Sequence, residues 1–277
     1  MHGPPPHPLP ADFAEAFANA GSRLGPLGRT VEFYDSVGST NDIAIGLASD
    51  SAAEGAVVIA DAQTAGRGRR GRTWHSPVAS GLYVSVVLSP GRAARDARRA
   101  TSMLTLAAGV ALAEGISVST GLGADIKWPN DLVVGRRKLA GILAEGVSSR
   151  STPGERPLDV VLGFGINVRP AAFPPDLADR VTSIEGELGR PIDRGRVCVE
   201  SLVALAARYE DLMTGRFDAI LDAWIRRAPG SHGARVRWHD VAGHHSGVTA
   251  GIDAHGALLV RTGDALERLV AGEVLWD

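Results

Sequence analysis

Between residues 67 and 72 four arginines occupy six positions, inside the run Gln63-Thr64-Ala65-Gly66-Arg67-Gly68-Arg69-Arg70-Gly71-Arg72-Thr73-Trp74. Guanidinium groups neutralise phosphates and carboxylates through paired hydrogen bonds, and glycines let a backbone approach a ligand and expose its N–H groups. Arginine and glycine interleaved in this way describe a loop that handles anions. Gly66, Gly68 and Gly71 satisfy G-x-G-x-x-G literally, but a dinucleotide motif must open a helix, and here His75-Ser76-Pro77 and then an apolar run follow. No G-x-x-x-x-G-K-[ST] occurs, so a P-loop is excluded. Taken alone, the loop reads equally well as a solvated basic turn that touches nucleic acid.

A second segment breaks the tie. Of 29 basic residues only Lys127 and Lys138 are lysines, and both stand in Lys127-Trp128-Pro129-Asn130-Asp131-Leu132 and the following Gly135-Arg136-Arg137-Lys138-Leu139-Ala140-Gly141-Ile142-Leu143-Ala144-Glu145. A chain so biased towards arginine keeps lysine where a compact, flexible ammonium is needed.

Together the two segments resemble the signature of biotin protein ligases, with K-W-P-N-D and K-L-A-G-I-L-x-E as the family writes them. The match continues in Gly38-Ser39-Thr40-Asn41 upstream and Gly163-Phe164-Gly165-Ile166-Asn167-Val168 downstream, five ordered blocks over residues 38–168. The resemblance implies an α+β fold: a mixed β-sheet flanked by helices, class II synthetase-like, with a small C-terminal SH3-like β-barrel. It also implies the activity: biotin and ATP (with Mg²⁺) form biotinyl-5'-AMP, and biotin then passes to a lysine of a biotin carboxyl carrier protein or carrier domain of a carboxylase.

The residue chemistry agrees block by block. Ser39, Thr40, Asn41 and Gln63 offer neutral donors and acceptors for the ureido end of biotin, and Gly141 leaves room for its bicycle, with Gly66, Arg67, Gly68, Arg69 and Lys138 completing the biotin site. Lys138 bridges the biotin carboxyl and the α-phosphate. Arg67 and Arg69 clamp the anions. Arg67, Arg69, Arg72, Trp74, Asn130, Lys138 and Asn167 are expected around the nucleotide, Trp74 covering adenine. Catalysis falls to Lys138, Arg69 and Asp131, the last orienting or deprotonating the acceptor amine. No protein ligand for a metal is expected: His239, His244 and His245 fit no zinc spacing.

A lipoate- or octanoate-attaching enzyme shares the fold, but the full arginine loop with K-W-P-N-D and K-L-A-G-I-L argues against it. A nucleic-acid-binding regulator is disfavoured because nothing in residues 1–28 resembles a winged or helix-turn-helix domain; the resemblance is therefore to the monofunctional type, with no DNA partner. A carrier is excluded too, since neither lysine stands in a Met-Lys-Met hairpin.

The elements that must position these residues follow from periodicity. The pattern predicts strands at Val31–Tyr34, 56–61, Gly81–Leu88, 124–128, 139–145 and 160–166. It predicts helices after Asn41, over 98–115, and through Cys198, Leu202, Leu205, Tyr209 and Leu212. The chain breaks at Ala228-Pro229-Gly230, after which strands at 234–238, 247–252, 257–261 and 266–270 alternate with glycine and aspartate turns. The expected division is a leader (1–28), a catalytic domain (29–228) and a C-terminal β domain (229–277). A formal net charge of −2 gives no global pull to nucleic acid or acidic membrane. One cysteine and no spanning segment point to the cytoplasm and to no membrane partner, as a monomer or homodimer.

Overall fold

The structure, a computed structural model, describes residues 5–48, 53–147, 159–171, 173–240, 243–272 and 274–276. The first four residues of the proline-rich start lie outside them. A seven-stranded mixed sheet is built from β1 (Val31–Tyr34), β2 (Val57–Ala60), β3 (Gly81–Leu88), β4 (Asp125–Lys127), β5 (Asp131–Val134), β6 (Arg137–Val147) and β7 (Asp159–Asn167). Their order is β1-β2-β3-β7-β6-β5-β4, with β1 and β2 parallel and every other neighbouring pair antiparallel. The helices are α1 (Ala11–Ala20), α2 (Thr40–Leu47), α3 (Ala97–Thr120), α4 (Pro175–Ala178), α5 (Ile184–Leu188), α6 (Arg194–Thr214) and α7 (Phe217–Arg227).

Alternation along β3 and β7 assigns the two faces of the sheet. Leu82, Val84, Val86, Leu162 and Ile166 join the main core with Leu104, Ala108 and Leu112 of α3 and Leu202 and Leu205 of α6. On the opposite face α2 covers Val58, Ala60, Val87 and Val161 through Ala44 and Ala48. That face carries the site. Helix α3 is long and apolar enough to cross a membrane by length and composition, but 67% of its most apolar stretch is buried in the molecule, as a core helix requires. Cys198 sits on the inner face of α6, and burial pushes its thiol up to about 12, so it is core rather than nucleophile.

Two expectations need correction. The segment expected to be a leader is part of the core from α1 onward: Phe13, Leu24 and Leu27 are buried, and Gly195 lets the start of α6 press against the backbone of Asp12. The turn after Trp128 opens a further strand, β5, which hairpins back on β4 with Lys127 opposite Asp131.

The C-terminal strands β8 (His232–Asp240), β9 (Gly243–Ile252), β10 (Leu258–Thr262), β11 (Ala265–Leu269) and β12 (Val274–Trp276) form an antiparallel, barrel-like sheet in the order β11-β10-β9-β8-β12. Val236, Trp238, Leu258, Val260 and Val274 extend the main core into it. Trp128 Nε1 donates to Gly256 O at 3.0 Å and Arg99 Nε to Ala254 O at 2.8 Å, locking the loop before β10 onto the larger sheet. The histidines face one another across the β8–β9 hairpin, His239 against His244 and His245 stacked on Trp238.

Candidate active site

The floor of the site is a row of small residues on the α2 face. Tyr83, Gly165, Gly141 and Asp131 lie side by side across β3, β7, β6 and β5, and Ser85, Gly163 and Leu143 form the next row. A Cβ on Gly163 would stand 2.1 Å from Asn41 Oδ1, and one on Gly165 2.3 Å from Trp74 Nε1, so β7 needs glycine at both positions for other side chains to lie on it. Two glycines at i and i+2 in a strand were the sequence signal for this floor; the motif reading quoted them without assigning them a place.

One end of the floor is neutral and polar. Thr40 N donates to Gln63 Oε1 at 2.9 Å, and Gln63 Nε2 donates to Ser76 Oγ at 2.9 Å. Ser85 Oγ lies 2.8 Å from Thr40 Oγ1 and 2.6 Å from Asn41 Oδ1, and Asn41 Nδ2 donates to Glu145 Oε2 at 2.5 Å. Ser39, Thr40, Asn41 and Gln63 thus converge at the head of α2. Ser85, Ser76 and Glu145 complete the network; sequence reasoning missed their roles because they are distant in the chain and sit in ordinary strand and turn contexts.

The other end is cationic. A break in register between β5 and β6 pairs Leu132 with Ala140 but Val133 with Lys138, leaving Leu139 as the extra residue. Such a bulge re-aims the side chains beyond it. Regular alternation from Gly141 would send Lys138 into the core; with the bulge Leu139 and Ala140 are both buried and Lys138 emerges beside Asp131, Nζ to Oδ1 2.6 Å. Arg69 Nη1 donates to Asn130 Oδ1 at 3.2 Å, and Asn130 Nδ2 donates to Ile142 O at 2.7 Å. Burial draws the Arg69 guanidinium below its ordinary value, with Asp131 opposing the effect.

The arginine loop is a small hairpin between the two ends. Arg67 pairs with Thr73, Trp74 N donates to Gly66 O at 2.9 Å, and Gly68 N to Arg72 O at 2.7 Å. Gly66 is spent at the hairpin base, where a Cβ would meet Trp74 O at 2.5 Å. Arg194, half-threaded beneath, holds both stems of the loop: Nη1 reaches Asp61 Oδ1 at 2.6 Å and Gly81 O at 3.4 Å.

Three expected site residues have close neighbours within the protein itself. Arg67 is turned to the polar end, 2.8 Å from Asp42 and 3.0 Å from Glu145, because two carboxylates of α2 and β6 compete for it. Trp74 lies over Gly141 and Gly165, its ring 5.3 Å from Lys138 Nζ, with Nε1 buried and lacking an acceptor among the described residues. Asn167 is buried, its amide donating to Thr182 O at 3.0 Å, so it holds the 180–182 segment against Lys138, whose backbone N donates to Arg180 O at 2.8 Å. Lys138, Asp131, Asn130, Arg69, Arg72 and Gly68 line a pocket of about 260 Å³ with Thr40, Asn41 and Gln63.

Residues 33–167 match the model of the biotin/lipoate A/B protein ligase family. The chain is 35% identical to the bifunctional ligase/repressor BirA of Bacillus subtilis over 96% of its own length and 79% of that protein's. It is 34% identical to the biotin--[acetyl-CoA-carboxylase] ligase of Mycobacterium tuberculosis, over 89% of each chain. The biotin protein ligase from Aquifex aeolicus, solved with biotin and ATP, superposes with a TM-score of 0.76 at 25% identity, covering 90% of this chain and 99% of that one.

Proposed function

From the membership of this chain in the biotin/lipoate A/B protein ligase family, we propose that it is a biotin protein ligase, joining biotin to a carboxylase carrier through biotinyl-5'-AMP. One observation carries the reading: a single floor runs from neutral donors and acceptors at Thr40, Asn41 and Gln63, over bare glycine, to the Lys138–Asp131 ion pair at 2.6 Å. Biotin has the same order of chemistry: ureido ring, apolar bicycle and chain, carboxylate.

In the first half-reaction a biotin carboxylate oxygen attacks the α-phosphorus of ATP and the bond to pyrophosphate breaks. Anion meets anion, so the barrier is dominated by charge. Lys138 bridges carboxylate and α-phosphate, and Arg69, held by Asn130, takes the phosphate side. Trp74 offers its unsatisfied Nε1 and its ring to the nucleotide, and the loop closes over the mixed anhydride to keep water out. Mg²⁺ would enter with the polyphosphate and neutralise part of its charge. In the second half-reaction the acceptor amine attacks the carbonyl carbon, its proton passes to the Asp131 carboxylate, and AMP leaves as the acyl–phosphate bond breaks. Asp131, paired with Lys138 at 2.6 Å, orients that amine. Arg67 acts at the biotin end, steadying Glu145 and hence Asn41. Residues 29–228 are the catalytic domain, with α1 packed on it, and 229–277 the accessory β domain. The reducing cytoplasm is the place of action.

The test is to supply biotin and Mg-ATP with an unlabelled carrier domain and to follow pyrophosphate release and carrier labelling. Both should require biotin. Transfer supported by lipoate or octanoate instead would keep the fold and overturn the substrate.

The polar end makes its own prediction. Ser85→Ala leaves Asn41 Oδ1 and Thr40 Oγ1 without their shared partner in a buried site, which costs about 1–2 kcal/mol. KM for biotin should rise roughly tenfold with kcat little changed. An unaltered KM in a stably folded variant would move the ureido ring elsewhere.

A further inference from the structure

Of the described lysines and arginines only Arg194 is buried, at 9% exposure. It opens α6, where a cation meets the positive end of the helix dipole, and the Phe13 ring walls it in, 5.7 Å from its Cζ. Its Nε is buried without a hydrogen-bond partner among the described residues. Taking a guanidinium out of water and leaving one N–H unpaired costs free energy, and an apolar pair of similar volume commonly serves stability as well or better. Neither α6 nor the core beneath it calls for arginine at this position.

What the side chain reaches is the base of the arginine loop. Nη1 donates to Asp61 Oδ1 at 2.6 Å and to Gly81 O at 3.4 Å. Asp61 directly follows β2 and Gly81 opens β3, so the two acceptors are the two stems of residues 62–80. That segment carries Gln63 to the neutral end of the site and Arg69, Arg72 and Trp74 to the rest of the pocket. Neutral ties at the base assist: Ala79 N donates to Asp61 O at 3.3 Å, and Tyr83 Oη to Pro77 O at 3.0 Å. Neither Arg194 nor Asp61 lines the reaction pocket.

Resting on the ligase reading, we propose that Arg194, acting through Asp61, is a positioning residue for adenylation: the buried ion pair fixes the separation of the two stems and so holds Arg69 and Trp74 in register with Lys138. Arg194 itself touches neither biotin nor ATP. A buried pair makes a stiff tether, because either charge left alone there is strongly disfavoured. Stiffness matters to the reaction, since a displacement of about 1 Å at the reacting groups can lower a rate roughly a hundredfold.

The experiment replaces the pair by apolar residues, Arg194→Met together with Asp61→Leu, beside Arg194→Lys. Three quantities are read in the full chain: thermal unfolding, single-turnover formation of biotinyl-5'-AMP with biotin and ATP saturating, and the rate of tryptic cleavage after the arginines of residues 67–72 in the folded protein without substrates. In the apolar variant Tm is expected at or above wild type, adenylation slower by about tenfold or more, and loop cleavage faster by about fivefold. Both contacts are made by the one nitrogen Nη1, so the ammonium of Arg194→Lys should restore most of the rate. A pair with a purely structural role would move Tm alone. Adenylation per folded molecule within about twofold of wild type overturns the proposal, as does unchanged cleavage of the loop. Should the apolar variant not fold, Asp61→Asn, which keeps the shape and removes the charge, is held to the same two readouts. A wild-type chain that forms no biotinyl-5'-AMP sinks the ligase reading and the adenylation role with it; failure of the tether alone shows as an active wild type matched by its variants.

Discussion

Replacing Lys138 by alanine is expected to lower the rate of biotin-dependent pyrophosphate release by about a hundredfold or more, the usual cost of removing one preorganised donor from a developing anion. The loss should be larger than that of any other single cation in the site. Lys138 is the ammonium that the β5–β6 bulge turns towards the floor, and its place is secured three times over: by Asp131 Oδ1 at 2.6 Å, by the backbone of Arg180, and by Thr182 N donating to Lys138 O at 2.9 Å. Lys138→Arg should not rescue it, because a planar fork cannot occupy the space of a compact ammonium lying 5.3 Å from the Trp74 ring centroid. The decisive measurement is single-turnover formation of biotinyl-5'-AMP with biotin and ATP saturating. A fall in kcat confirms a role in the reacting state, whereas a rise in KM alone would reduce Lys138 to a binding contact.

The largest effect on stability is expected at a residue far from the chemistry. Gly115→Val should destabilise the chain by about 3 kcal/mol or more, because overpacking at a backbone contact has no flexible neighbour to absorb it. Gly115 lies on α3 where α6 crosses it, and even a Cβ there would stand 2.4 Å from Ser201 Cα and 2.6 Å from Ser201 N. Ser201 is fully buried, so the helices can only part by opening the core that Leu112, Ile116, Leu202 and Leu205 fill. In thermal unfolding this corresponds to a fall of roughly 6–10 °C in Tm. Gly46→Ala is the control. It lies in the last turn of α2 with nothing within 4 Å of its added Cβ, and removing a helical glycine there should leave stability unchanged or raise it slightly. Equal losses in both variants would mean that glycine as such, and not the helix crossing, sets the cost.

Much of the architecture could be read from local pattern. Strands β1, β2, β3, β6 and β7 announce themselves as β-branched or apolar runs, and α3 and α6 as long apolar periodicities, because each element buries its own side chains at its own period. Turn glycines likewise marked the C-terminal strands. Helix α1 was harder to read: ten residues after a proline-rich start carry only Phe13 and Phe17 as large apolar anchors, and their partner, α6, lies far along the chain. Strand β5, four residues long, was hidden because it is too short to show a period of its own.

For the site, sequence determined which chemistry is possible. The arginine and glycine loop, the two lysines of an arginine-rich chain, and neutral polar groups at Thr40 and Asn41 are properties of residue type and spacing, and these survive any packing. Tertiary structure decided where each group points. Lys138 faces the site only because the β5–β6 pairing slips by one residue, Arg67 turns towards the polar end because Asp42 and Glu145 meet it from different elements, and Ser85 joins Asn41 only once α2 lies on β3. Register and long-range charge pairing depend on partners tens of residues away, so no local pattern carries them.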